Sequence, residues 1–421
     1  MKLFQPDYNL FAVSLLLKET ALNTEQTLSH SMIIDKDDIL DLDPRVEDNS
    51  DELTGKEEPD AVYRLGNIVS KSLNFNKAKP QDFLLAYGYG LGTVATSAYG
   101  TGYKHLISGV AGPVLPGFTA AQRLGKTIFK RRFASMFVDT ISTIFAKDSW
   151  AKCVVGLKGT GKYSQNMVKE TITAYYDATS LTLAANAVEG ATAQARLDNV
   201  HQIRVLVPTS NEWAEVVYSA VSSATPAVIT ITKPGAAHTE TTYEVLYVPT
   251  EPEWCTFPDR VIEPPLRVTD LVVKIGGKWN GSSFLGGRTV DAEVESIEHT
   301  LNNQMDIQFR VGGTGAYANY AFKQGRKQTL RFDRQMREFI LQQRIEDNEY
   351  LGIYAKATGA EFETGKNYYV ELIFPRCTVL KAPISVKDKV LAEAGDIQVL
   401  EDDTYGSIIV TVANKIATCA A

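Results

Sequence analysis

Apolar and polar residues alternate one by one over much of this chain. In "MDIQFRV" (residues 305–311), Met305, Ile307, Phe309 and Val311 fall on one face, and Asp306, Gln308 and Arg310 on the other. "TLRFDR" (329–334) alternates in the same way, and "AVITITKPGAAHTETTYEVLYVP" (227–249) does so twice, around a Pro-Gly turn. A period of two suits a half-buried strand, and a helix cannot keep such a stripe on one side. The expected fold class is therefore mainly β. Two segments carry helical spacing instead. "KPQDFLLAYGYG" (79–90) places Pro80 at a helix start and Asp82 in its first turn. "RQMREFILQQRIEDNEYL" (334–351) has Met336, Phe339, Ile340 and Ile345 near helical spacing.

One stretch looks enzymatic. "VVGLKGTGKY" (154–163) has Gly156, four residues, then Gly161 and Lys162, a phosphate-binding loop short of its last residue. That loop needs a Ser or Thr after the Lys to hold Mg²⁺, and it must open a helix. Here Tyr163 stands at the Ser/Thr position, and residues 164–173 show no helical stripe. A glycine turn between strands is the simpler reading.

Composition narrows the classes. Of 421 residues, 44% are hydrophobic and 22% charged, which describes a globular chain long enough for two or three domains. No apolar run approaches the length of a membrane span, and the start of the chain reads as a strand, not a signal peptide. Cys153, Cys255, Cys377 and Cys419 show no metal-ligand spacing and suit a reducing compartment. A net charge of −7 argues against a surface that grips nucleic acid, though not against one that nucleic acid slides past. No catalytic set, cofactor site or metal site follows from spacing. His105 and His299 are isolated, and Trp150, Trp213, Trp254 and Trp279 are too scattered for a base-stacking platform.

Two stretches differ in character. Residues 34–60 are strongly acidic with few apolar side chains, and read as an extended or mobile loop. Residues 169–265 end in Pro-rich sequence and read as a small inserted β domain between units at 1–168 and 266–421. The flanking parts look related. "VDTISTIFAKDSWAKCVVGLKGTGKY" (138–163) and "VESIEHTLNNQMDIQFRVGGTGAY" (294–317) share a start and the ending Gly-Thr-Gly-x-Tyr, with Ala316 where the first has Lys162. A hairpin that occurs twice would explain both. "LNFNKAKPQDFLLAYGYG" and "LRFDRQMREFILQQ" match more loosely, each a strand running into a helix, followed by a glycine turn and a Tyr-bearing strand.

Several of these stretches, in this order, resemble the tail tube proteins of long-tailed bacteriophages. The likeness rests on His105 before Leu115-Pro116-Gly117-Phe118-Thr119, on Asn302-Asn303 after a strand, and on the closing strand from Gly406 to Asn414. It implies two related β-barrel or sandwich tube units, each with a short flanking helix. It also implies a virion protein assembled in the host cytoplasm, with no enzymatic activity and no cofactor. Its partner would first be itself, in stacked rings, with a trimer of pseudo-sixfold symmetry favoured and a hexamer as the alternative. Tape-measure, tail-tip and terminator proteins would follow, with double-stranded DNA passing through. On this reading Asp291, Glu293 and Glu295, which alternate, are candidates for a negative lumen wall. Asp37, Asp38, Asp41, Asp43, Glu47 and Asp48 are candidates for an inter-ring contact with the basic run Lys130, Arg131 and Arg132. The competing reading is another tail-tip, baseplate, or receptor- or carbohydrate-binding β protein.

Overall fold

Period-two alternation becomes antiparallel sheet almost wherever it occurs. The computed structural model describes residues 6–53, 55–125, 129–313, 315–387 and 389–419. β1 (Leu10–Val13) and β2 (His30–Met32) pair with each other. β3 (Asp43–Asp48) pairs with the first half of a long β4 (Val62–Phe75). Helix α1 (Pro80–Leu91) then leads into the hairpin of β5 (Gly92–Tyr99) and β6 (Gly102–Gly109). After β7 (Phe118–Leu124), β8 (Phe129–Ala146) and β9 (Lys152–Gly159) form a second hairpin, and β9 returns to the second half of β4. A short β10 (Tyr163–Gln165) follows.

Residues 168–247 supply β11 (Val168–Tyr175), β12 (Ser180–Thr182), α2 (Ala193–Asp198), β13 (Val200–Leu206), β14 (Trp213–Glu215), β15 (Tyr218–Val221), β16 (Val228–Ile231) and β17 (Glu240–Tyr247). They make two sheets, β11-β17-β13-β14 and β12-β16-β15, over a shared core that includes Leu181, Ile203, Ile229, Tyr243 and Tyr247. Further on come β18 (Leu271–Trp279), the short β19 (Phe284–Leu285) and β20 (Arg288–Thr289), β21 (Val294–Asn302), β22 (Met305–Gln308) and β23 (Tyr320–Lys323). The chain continues with β24 (Lys327–Gln335), α3 (Ile340–Asp347), the hairpin of β25 (Leu351–Glu363) and β26 (Lys366–Lys381), and the hairpin of β27 (Ile384–Lys387) and β28 (Val390–Val399). β29 (Ile409–Asn414) is the last strand.

The described residues fall into two compact units. The larger takes its residues from 10–121, 133–163 and 258–421, the smaller from 1–9, 122–132 and 164–257. The middle block thus begins and ends a few residues earlier than sequence placed it, and the basic run at 130–132 belongs with it.

In the larger unit the ladders run β3-β4-β9-β8-β21-β24-β28-β26-β25-β18. β26 also pairs with β29, which continues into β6 and β5. The path does not return to its start, so the sheet is open and the barrel alternative fails for the described residues. One row of register partners crosses this sheet: Asn74, Val154, Ser142, Thr300, Thr329, Gln398 and Thr378. Partners directly opposite each other share a face, and only one of these seven residues is apolar.

The repeat is present, but not where the closer sequence match put it. β8 and β9 pair as a hairpin. Their supposed counterparts β21 and β22 do not: β21 lies between β8 and β24, and β22 pairs with β23. The cause is the Asn-Asn corner. The Asn303 N–H donates to Asp139 O at 2.8 Å, and its side-chain amide donates to Gly90 O at 2.9 Å and Val138 O at 3.0 Å. Tied down this way, the chain leaves the sheet instead of folding back. The looser match is the structural one. β4, α1 and the β5–β6 hairpin recur as β24, α3 and the β25–β26 hairpin. In each copy a further hairpin follows, β8–β9 or β27–β28, and its second strand returns to pair with the first strand of the motif.

α1 fits its sequence. Pro80 opens it, Asp82 accepts the Lys79 N–H at 2.9 Å, and Gly92 at φ 95° ends it. All twelve residues are buried, against β5, β6, β9, β26 and β29. Gly90 permits this approach: a Cβ there would stand 2.7 Å from Ile141 Cδ1. α3 is shorter than the expected 334–351, because Arg334 and Gln335 still belong to β24 and Asn348 at φ 50° terminates it. The acidic segment 34–60 is not simply loop. It contains β3, which pairs with β4 yet is exposed on both faces, so no alternation marked it.

Candidate assembly site

The Gly-Thr-Gly-Lys turn is a structural joint. β9 ends at Gly159 and the chain runs on into β10, so no helix N-terminus faces the turn. Gly161 sits at φ 84°, where a Cβ would come within 2.0 Å of Asn67 O. Thr160 is buried and donates to Asn23 Oδ1, while Lys162 Nζ donates to Asn23 O at 2.7 Å and lies 5.8 Å from the Tyr317 ring centre. Lys162→Ala removes one hydrogen bond and should lower stability by about 1 kcal/mol without altering assembly. Calorimetry should detect no ATP binding by either form, and ATP affinity lost in the variant would reverse this assignment.

The three alternating carboxylates do not share a strand face. Asp291 and Glu293 lie in the turn before β21 and only Glu295 is in the strand. Asp291 is exposed, whereas Glu293 is buried and pairs with Arg288 at 2.6 Å and Arg334 at 3.4 Å. Glu295 bonds Lys387, which holds its carboxyl below the usual range. Period-two reading assumed that β21 began three residues early. Pairing had already drawn Glu293 inward.

The acidic candidates also divide. Asp37, Asp41, Asp43, Glu47 and Asp48 are exposed, and bonds from Ser50 lower the Asp48 carboxyl. Asp38 is buried, accepting the Asn74 side-chain amide at 2.8 Å and the Asn74 N–H. Among the proposed cations, Lys130 is paired with Glu251, Arg131 lies 4.3 Å from the Phe129 ring centre, and Arg132 lies 4.9 Å from that of Trp254. All three are engaged inside the smaller unit, whereas the acids belong to the larger.

His105 and His299 are both buried bonding nodes. His299 meets Tyr87 Oη at 2.9 Å and Gln328 Oε1 at 3.1 Å, and burial lowers its pKa to about 4. His105 meets Thr96 Oγ1 at 2.8 Å and Asn414 Oδ1 at 3.1 Å. Among the described residues no cluster of three or more His, Cys, Asp or Glu could hold a metal, and no helix is long and apolar enough to cross a membrane.

What the larger unit does offer is uncovered strand. The distal part of the β3–β4 arm exposes Val46, Val62, Tyr63 and Leu65, and the β27–β28 hairpin exposes Ile384, Val386, Val390 and Leu391, each between 45 and 75%. β3 and β27 are edge strands, each paired on one side among the described residues. A lone exposed apolar residue is ordinary, but four together on a free edge are a pairing surface left open. Sequence reading missed β27–β28, although "ISVKDKVL" alternates around a short polar turn. The chain matches no protein-family profile and no curated protein.

Proposed function

We propose that this chain is the subunit of a self-assembling tube that conducts double-stranded DNA, as in the tails of long-tailed phages. One observation carries the reading: a strand–helix–hairpin–hairpin motif occurs twice in one open sheet, whose free edges expose apolar side chains. An open sheet with such edges aggregates unless copies cover them, and ring closure and ring stacking together cover them. Two motifs per chain make a ring of three chains pseudo-sixfold. The row from Asn74 to Thr378 suits a lumen wall better than the dispersed carboxylates do. Within that row short hydroxyl and amide side chains present no cation to phosphate, and in the next row on the same face Lys152, Arg331 and Lys381 alternate with Glu298 and Asp396. Tape-measure and tail-tip proteins are the further partners this reading brings, and the virion its location.

Electron microscopy of the purified protein tests it. Stacked rings or hollow tubes are expected. Persistent monomers at high concentration would instead favour a tail-tip or receptor-binding role.

A further inference from the structure

Two carboxyl groups lie buried beside the first turn of α1, and neither is neutralised by a bonded cation. Asp82 Oδ2 accepts the Lys79 N–H at 2.9 Å, but its Oδ1 has no partner. Glu263 Oε2 accepts the Gln81 N–H at 2.9 Å, and its Oε1 accepts the Lys415 backbone N–H at 3.5 Å. The surroundings are equally unsatisfied. Lys79 Nζ, both amide atoms of Gln81, and Asn414 Nδ2 are buried without a hydrogen-bond partner. Asp82 is 1% exposed and Glu263 2%.

Glu263 belongs to a strap, residues 258–266, that leads towards β18. The strap is fixed at both ends. At one end Ser31 donates its hydroxyl to Pro258 O and bridges to Arg260 through the backbone. At the other, the Leu266 N–H donates to Ala78 O at 3.0 Å, and Leu266 O accepts the Ala151 N–H at 3.1 Å. Arg260 and Ile262 are exposed, and the Glu263 side chain reaches inward to α1.

We infer that Glu263 and Asp82 form a proton-operated latch, which holds residues 261–265 against α1 while the pair carries a proton and releases them when both are ionised. The N-terminus of a helix favours one negative charge. Two carboxylates in one dry site repel each other, and burial penalises both. The charged and titratable groups around them are Lys79 at the helix cap, Arg260 on the strap, Cys153 on β9, Tyr368 on β26, and His105 through Asn414, while the Lys415 ammonium lies 6.0 Å from the Phe362 ring centre. Burial raises the Cys153 thiol and the Tyr368 hydroxyl and lowers the His105 imidazole, so all three stay neutral near pH 7. Asp82 and Glu263 are each raised by burial to about 7. Raised carboxyl pKa values favour the closed, protonated form. Their contribution is complete below the unfolded carboxyl range, about 4, and is lost as pH rises through about 7. Each such group makes the opening equilibrium grow about tenfold between pH 6 and 8, and the pair together up to about a hundredfold.

Trypsin reads this directly, because the Arg260–Val261 bond lies on the strap. Cleavage of the intact protein, normalised to an unstructured Arg-Val peptide in the same tube, should rise up to about a hundredfold from pH 6 to 8. In Glu263→Gln, which keeps an acceptor for the Gln81 N–H, only Asp82 is left to titrate, so the rise should shrink by about tenfold. A flat wild-type profile, or an unchanged rise in the variant, overturns the latch. Hydrogen exchange on the wild type gives a second reading that needs no variant. After correction for intrinsic rates, the Gln81 and Lys415 amides should lose protection over the same window while Leu266 keeps its own. Equal loss at all three would mean general loosening and would refute the latch.

Discussion

Arg334→Leu should destabilise the larger unit by about 3–5 kcal/mol, the range for breaking a buried ion pair from one side. Arg334 is fully buried and serves three carboxylates. Its Nε and Nη2 donate to Glu393 Oε2 at 3.0 and 2.8 Å, and its Nη1 faces Glu293 Oε2 at 3.4 Å and bonds Glu338. Arg288 reaches only Glu293, at 2.6 Å. Leucine leaves Glu393 buried with just the Gln342 amide, at 3.0 Å. The cluster joins β24, β28, the turn before β21 and the approach to α3, so the loss falls on the whole second motif. Urea unfolding followed by circular dichroism gives the value. Adding Glu393→Leu to Arg334→Leu should recover part of it, since an apolar pair leaves one carboxylate fewer without its counterion. A single-variant loss under about 1 kcal/mol would show that water already reaches the cluster.

Deleting the distal β3–β4 arm should abolish long tubes while leaving the subunit folded. Arg45 and Gly66 are register partners, so an Asn-Gly turn joining them closes the shortened hairpin. The deletion removes Val46, Val62, Tyr63 and Leu65, which are exposed in the isolated chain, together with most of the acidic segment. Fully burying an aliphatic or aromatic side chain contributes about 1.5–3 kcal/mol. Four such residues per subunit, multiplied around a ring, decide whether rings stack. Exposed acids add about 0–1 kcal/mol each, so high salt should shorten wild-type tubes only modestly. Tube length by electron microscopy is the measurement. Tubes of normal length from the deleted protein would remove the arm from the assembly reading.

The mainly β class was readable because alternation is a local property, and Met305, Ile307, Leu330 and Phe332 point inward as it required. The same pattern pointed to Arg334, two residues beyond Phe332, but a charged residue at a core position was not followed inward. Alternation also overran its strand: β22 stops at Gln308, and Val311 stands fully exposed before two glycines. α1 was legible from Pro80, Asp82 and its apolar run. Which strands pair was not, because pairing depends on corners such as Asn303, whose bonds reach residues 165 and 213 positions away. β3 left no trace for the opposite reason, having no buried face to imprint a period.

The burial of α1 has a consequence for synthesis. Part of its cover is β29, whose residues 409–414 pair with β6 and with β26. A nascent chain has made the helix and its first hairpin by residue 109, then waits some three hundred residues for that cover. Contacts so distant in sequence form late. The first motif therefore stays incomplete until residues 409–414 have been made.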